Sequence, residues 1–303
     1  MEVAWISIAI SSAAALGLVN ILDSHLISKR MPSLRAFLLP LGLIALVLGL
    51  IFLCLFPLPG NLSTWPLVVA VASGLLRGAS VTILLYTLKR EEVSRVVPVV
   101  CIYPVFVVIM AVPLLGETLN YLQWLAIAIV VAGAVMVSIK RRPGNPAKWL
   151  GGTFFLLLGS SLLMALADVS SKYALSYISF WNMYWISILS IAVIFLLISL
   201  RRHVVKELAN IKQPRPILLL VLVNETLVVA GAVLLFWAMQ NGPVSLVSTI
   251  TGSRPIFVLV FALILSRFRS GFLLEGQSGK GMLALKLVAI SLIVGGITLI
   301  YIA

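Results

Sequence analysis

LLYTLKREEVSRVVPVVCIYPVFV, residues 84–107, aligns without a gap on LFWAMQNGPVSLVSTITGSRPIFV, residues 235–258, and this pairing decides the fold. Identical residues stand at Leu84/Leu235, Val93/Val244, Ser94/Ser245, Val96/Val247, Pro104/Pro255, Phe106/Phe257 and Val107/Val258. The copies lie 151 positions apart, about half of the 303-residue chain. Each reads as the end of one apolar helix, a short polar turn, and a second apolar helix with a proline near its middle. A half-length repeat in a very apolar chain is the pattern of a secondary transporter built from two related bundles.

Composition identifies the solvent. Hydrophobic residues make up 62% of the chain and charged residues 10%, with mean hydropathy +1.18. A soluble domain carries about a quarter charged residues, so this is an integral membrane protein. A helical span needs about 20 apolar residues, and ten stretches qualify: roughly 4–22, 36–56, 66–88, 96–115, 119–139, 149–171, 180–200, 216–238, 245–266 and 283–302. They leave no room for a soluble domain. Ala13-Ala14-Ala15 could be taken for a signal-peptide cleavage site, but Met1-Glu2-Val3 carries no basic residue, so 4–22 reads as the first span. Cys54 and Cys101 stand singly in spans and read as buried small apolar residues.

Basic residues orient the chain. Nineteen of the 22 Lys and Arg residues fall in connections after odd-numbered spans or, for Lys286, at the adjoining edge of a span, among them Lys29, Arg30, Lys89, Arg90, Lys140, Arg141, Arg201 and Lys206. The even-numbered connections hold only Lys172, while Arg77 and Arg254 fall inside spans. This bias puts the basic loops in the cytoplasm and both termini outside. It also accounts for the net charge of +13 without any nucleic acid partner, since the excess faces an anionic lipid leaflet. Five spans per copy is an odd number, so the second copy crosses in the opposite sense. The expected fold is therefore all-α, with ten transmembrane helices in two inverted five-helix repeats, 1–142 and 143–303. Asp23 and Asp168 occupy similar places in spans one and six, at an offset of 145.

The run Ser94…Pro104-Val105-Phe106…Leu114-Leu115-Gly116-Glu117-Thr118-Leu119, followed by the Ala/Gly-rich helix 126–138, resembles the EamA-type module of the drug/metabolite transporter superfamily. Two such modules would cover the chain. The resemblance implies a ten-helix transporter of small metabolites, with a central cavity that opens alternately to either side. Substrates in that superfamily range over amino acids, amines, sugars, nucleotide sugars and drugs. This chain departs from symmetry at Gly116-Glu117, where the second copy has Arg267-Phe268.

Ionisable residues deep in a membrane are costly unless paired or facing water, so they mark function or structure. Arg77 and Glu225 lie near the middle of spans three and eight, one turn apart in the repeat, and read either as a mutual ion pair or as part of a substrate or proton site. Arg254 stands directly before Pro255, where the first copy has Tyr103 before Pro104. A proline frees a backbone carbonyl one turn earlier, tolerable in lipid only beside a cavity or a polar neighbour. Tyr103, Arg254 and the helix-breaking Pro104 and Pro255 are thus expected to face the interior, with Arg254, Tyr103, Arg77 and Glu225 as substrate-binding candidates. Asp23 and Asp168, towards helix ends, are coupling or gate candidates, against ordinary interfacial placement beside His25 and Lys172. Glu117 reads as an interfacial carboxylate at the start of the fifth span. Tyr86 and Trp237 read as aromatic-belt anchors, and Gly74-x-x-x-Gly78 as a close helix contact.

Nothing in the chain is arranged for catalysis. His25 and His203 lack metal-ligand spacing, and no nucleophile elbow is present. Gly276–Gly281 only partly matches a phosphate loop, and the sequon at Asn61 sits in a short loop beside the membrane. No cofactor or metal is expected. The reading is a secondary or facilitative transporter in the cell membrane, working by alternating access on a small molecule, with the two midplane arginines favouring a carboxylate or phosphate. Protons or ions are available as coupling partners through Glu225, Asp168 and Asp23. A flippase for an amphipathic or lipid-linked molecule is the alternative; a membrane-embedded enzyme would need a catalytic constellation that is missing. A reporter fused after Ala303 should be extracytoplasmic and one inserted at 140–148 cytoplasmic; a cytoplasmic C-terminal reporter would reverse the assignment of sides.

Overall fold

The computed structural model describes residues 4–60, 63–90, 96, 99–138, 152–210, 214–268 and 280–303. The described residues are helical with short connections and contain no strand. The elements are α1 (Ala4–His25), continued by a π-helical turn at Leu26–Arg30, α2 (Leu34–Leu55), α3 (Thr64–Arg90), α4 (Tyr103–Leu115), α5 (Tyr121–Ser138) and α6 (Gly152–Leu175). They continue as α7 (Phe180–Ser199), the short α8 (Arg202–Ala209), α9 (Pro214–Asn241), α10 (Val244–Gly252), α11 (Arg254–Phe268) and α12 (Lys280–Ile302). Eight helical segments are long and apolar enough to cross a bilayer, one of them formed by α10 running on into α11. The apolar α4 and α5 are shorter. Large apolar side chains such as Leu43, Val47, Leu50, Trp65 and Leu197 are exposed on the outer faces, as suits a bundle surrounded by lipid. The chain is a multi-pass membrane protein.

Local chemistry sets the helix boundaries. Ser33 caps α2 by accepting from the Ala36 N–H at 3.1 Å, and Ser179 caps α7 by accepting from the Asn182 N–H at 3.2 Å. Asn120 and Gln123 form a reciprocal box at the start of α5, with bonds of 3.0 and 2.8 Å. Gly116, at φ +67°, ends α4 in the left-handed conformation that glycine adopts without strain. The connection after α7 contains a feature unforeseen from composition: α8 tucks Val204 under α2, and Ser33 Oγ donates to Glu207 at 2.6 Å.

Without a hydrophobic driving force between helices, close packing depends on small residues. α2 lies against α7 through Gly42 and Gly49, where an added Cβ would meet Leu196 at 3.1 Å and Leu189 at 2.5 Å. Gly74 and Gly78 seat α3 on the same helix: a Cβ on Gly74 would be 2.7 Å from Ser190 Cβ and 3.0 Å from the Ser187 backbone. The expected close contact at this motif is present. Gly133 and Gly296 do the same between α5 and α12. The principal pairings are α3 with α6, α2 with α7, α5 with α12 and α1 with α9, with α4 also against α6 and α1 against α11.

One expectation about a single residue changes. Cys54 is exposed on the outer face of α2 rather than buried, while Cys101 is buried. Tyr86 is exposed and Trp237 is half-buried against the core, so the two matching positions differ in exposure. The sequon at Asn61, the phosphate-loop fragment 276–279, the loop 140–148 and Ser94 lie outside the described residues. Gly74→Val should lower the melting temperature of purified protein, because overpacking a tight contact costs about 1–3 kcal/mol. Gly159→Val, at an exposed site where an added Cβ meets nothing within 4 Å, should leave it nearly unchanged.

Candidate functional site

The prolines interrupt their helices in the same way in both copies. α10 ends at Gly252 and α11 starts at Arg254, with Ser253 between them at φ −77° and ψ 6°. Tight bonds span the break, Ser253 N–H to Ile250 O at 3.1 Å and Ile256 N–H to Ser253 O at 3.0 Å. In the first copy, α4 starts at Tyr103 after a turn in which Ile102 N–H meets Val99 O at 3.2 Å and Val105 N–H meets Ile102 O at 2.9 Å. These are the same bonds displaced by 151 residues. What sequence presented as continuous spans 96–115 and 245–266 are broken at Tyr103-Pro104 and Arg254-Pro255, because proline has no N–H to continue the ladder.

The two breaks touch. A Cβ on Gly252 would lie 2.8 Å from Pro104 Cγ, so only glycine allows that approach. Tyr103 reaches across to α10, its hydroxyl donating to Ser248 O at 3.0 Å and lying 2.9 Å from the Thr251 hydroxyl. Ser248 Oγ in turn donates to Asp168 Oδ2 at 2.8 Å, and Asp168 Oδ1 accepts from Arg77 Nη2 at 2.9 Å. That guanidinium also reaches Ser171 Oγ at 3.3 Å and lies over the Phe236 ring, 5.2 Å from its centroid. Arg77 and Asp168 are both buried, and each finds polar company beyond its partner, which buried ion pairs require.

The partner of Arg77 is therefore Asp168, and the expected pairing with Glu225 does not form. Repeat position placed Glu225 one turn from Arg77, but Arg77 sits on the face of α3 that packs on α6, whereas α9 packs chiefly on α1. Asp168 is in the heart of the bundle, not at a helix end beside Lys172. Two bonds also redefine its counterpart. Ser160 Oγ donates to Ser80 O at 2.9 Å, as Ser12 Oγ does to Gly231 O at 2.7 Å. Ser171 meets Ser73 at 3.3 Å, as Asn224 meets Asp23 at 2.9 Å. Both comparisons relate α1 to α6 by 148 residues, so Asp23 corresponds to Ser171 and the offset of 145 was a coincidence of residue type.

Arg254 flanks this network from α11. It is half-buried, its Nε is buried without a partner, and among the described residues it makes no hydrogen bond or salt bridge. Tyr103 lies within electrostatic reach of Arg254, Arg77 and Asp168 together. Asp23 and Glu225 form a second cluster on α1 and α9. Asn224 Nδ2 donates to Asp23 Oδ1 at 2.9 Å, while Asp23 and Tyr184 both lie within electrostatic reach of the buried Glu225.

Glu117 is not the cap of the fifth span, which starts later with its own Asn120–Gln123 box. Its carboxylate instead accepts from the Val244 N–H at 2.5 Å and the Ser245 N–H at 3.2 Å, capping α10 in the other half of the chain. Lys172 completes this joint by donating to Met239 O at 2.6 Å and Gly242 O at 2.8 Å at the end of α9. Ser248, Thr251, Ser171 and Asn224 went unmarked in the sequence. The polar run Ser245–Ser253 inside an apolar span was the available signal.

If Arg77 and Asp168 hold each other, Arg77→Ala and Asp168→Ala should each destabilise the purified protein by about 3–5 kcal/mol, and the double replacement should recover part of that loss. The corresponding Arg77/Glu225 cycle should be additive in unfolding measurements.

Comparison with known proteins adds three findings. The EamA-like transporter family matches residues 3–139. A Sinorhizobium protein described as an uncharacterized transporter in the cobO 3' region is 39% identical over 82 residues, 27% of this chain and 55% of that protein, so the match spans about half the relative's length. A protein solved by crystallography, 16% identical, superposes with a TM-score of 0.71 over 99% of this chain and 98% of its own, which shows a shared fold. The likeness to the EamA-like transporter family thus rests on residues 3–139, the part of the chain that holds α1 to α5.

Proposed function

We propose that the protein carries a small anionic or zwitterionic metabolite across the cell membrane by alternating access, with Arg254 as the anion anchor. The observation that carries this reading is Arg254 itself: a half-buried guanidinium with no hydrogen bond or salt bridge among the described residues, at the break of a discontinuous helix, whereas the nearby Arg77 already holds Asp168. A permanent cation in that position is best completed by a ligand carboxylate or phosphate held through two parallel hydrogen bonds. Tyr103 contributes a hydroxyl from the opposite break.

The reading includes ten spans in two inverted repeats, 1–142 and 143–303, with both termini outside. Support comes from the helix pairings, which map onto themselves when the halves are exchanged: α1 with α9 becomes α6 with α3, and α1 with α11 becomes α6 with α4. The recurrent bonds at the two breaks obey the same exchange. In this scheme Glu117 joins the halves on the outer side, with Lys172 holding the adjoining end of α9, and the second copy, with Phe268 in place of Glu117, has no matching carboxylate on the inner side. Rocking of the halves about the broken helices would then open one side at a time. No chemistry is assigned to the protein, and a flippase reading would need an apolar path to the lipid beside Arg254.

Arg254→Lys keeps the charge but loses the fork, so it should insert normally and bind poorly; Arg254→Ala should bind worse still. Tyr103→Phe should weaken binding less, by the 0.5–1.5 kcal/mol or so of one neutral hydrogen bond. Carboxylates and phosphates that raise the melting temperature of wild-type protein provide the ligand for this comparison. Unchanged affinity in Arg254→Ala would return that residue to a structural role.

A further inference from the structure

Span eight holds two adjacent polar residues, Asn224 and Glu225, and the arginine network does not account for them. Glu225 is 5% exposed, yet among the described residues it accepts no hydrogen bond and meets no cation. Its charged neighbour is another acid, Asp23 on α1. Asn224, fully buried, donates from Nδ2 to Asp23 but leaves its Oδ1 without a donor. The Tyr184 hydroxyl on α7, also buried and unpartnered, lies within electrostatic reach of Glu225. The cluster is thus rich in oxygen acceptors, and among the described residues neither carboxylate has a salt bridge. α1 changes to π-helical winding at Leu26, three residues beyond Asp23, a local unwinding often found where a helix serves a ligand.

The surrounding elements do not correct the imbalance. Of those packed on α9, α6 carries Asp168 and Lys172, both engaged elsewhere. α10 carries no charged residue. Arg35 on α2, Lys29 and Arg30 in the π-helical turn and Arg215 at the start of α9 are exposed, and His25 lies two residues beyond Asp23. The buried Glu225, beside the half-buried Asp23 and without a salt bridge among the described residues, is costly to keep charged in a low-dielectric interior, and a positive charge from solution would offset that cost.

We propose that Asp23, Glu225 and the Asn224 amide bind one monovalent cation, a proton or a sodium ion, at a site separate from Arg254, and that this is where the protein couples to an ion gradient. Cation binding stands on the cluster alone; the coupling role rests on the transport reading above. A proton would sit on one carboxylate and be shared with the other. A sodium ion would take both carboxylates together with the free Asn224 Oδ1 as hard oxygen ligands. The arginine network repels cations, which keeps the two ligands of a coupled cycle at different addresses.

The test needs no substrate. Infrared difference spectra of wild-type protein between acid and alkaline buffers should show the C=O stretch of a buried carboxylic acid, lost in Glu225→Gln, if the cation is a proton. Melting temperature should rise in sodium chloride over choline chloride at equal ionic strength, a shift lost in Asp23→Asn, if it is sodium. Should Glu225→Gln fail to fold, Glu225→Asp keeps the acid but moves it and must displace the band. Arg254→Ala should retain whichever response wild type shows, so failure of the anion site and failure of the cation site are read separately. Wild-type protein showing neither response, or a response that persists in both Glu225→Gln and Asp23→Asn, overturns the proposal.

Discussion

A proline in the middle of a membrane helix leaves backbone groups that lipid cannot satisfy, and the centre of this protein is organised around two of them. Pro104 and Pro255 force breaks at matching places, and a hydroxyl or a tight turn meets the groups around each break. The Tyr103 hydroxyl crosses from one break to a carbonyl of the other, while Gly252 allows the two to come into contact. From there polar contacts spread outwards through Ser248 to Asp168 and Arg77. The breaks give the bundle an interior that is polar where a continuous helix would have presented only apolar side chains.

Charge is distributed unevenly around that interior. One acid is fully committed, since Asp168 accepts from Arg77 and Ser248 on opposite oxygens. One base is not, since Arg254 lacks a partner among the described residues. Between α1 and α9, two acids stand together with no salt bridge to a base among the described residues. In a medium that penalises unpaired charge by several kcal/mol, such imbalances persist only where a ligand, an ion or water completes them. The positions of surplus and deficit therefore say more about what the protein handles than the total of +13, which reflects cytoplasmic loops.

At the α9–α10 connection, helix ends serve as binding partners. Glu117 takes the N–H groups of α10 and Lys172 the final carbonyls of α9, so each charge meets the end of the helix dipole that attracts it. The joint links a loop of the first half to a helix of the second. Loss of either charge would free the connection without disturbing the apolar packing beneath it.

Apolar length, basic bias and the 151-residue repeat were legible in the sequence because each is a property of residue type along one dimension. They determined an all-helical membrane chain, placed prolines at matching positions, and marked Arg77, Arg254, Tyr103, Asp23, Asp168, Glu225 and Glu117 as residues needing an explanation. Which of them meet was decided by tertiary structure. Arg77 found Asp168 and not Glu225 because α3 packs on α6 and α9 on α1, a choice made by small residues and side-chain fit over whole helices. Glu117 capped a helix 127 positions away rather than the adjacent one. The correspondence of Asp23 with Ser171 emerged only from paired hydrogen bonds, since a helix can shift by a few residues against its partner without altering its composition. Sequence shows that a charge is buried; only the packed bundle supplies its neighbour, because neighbours across helices are set by rotation and register.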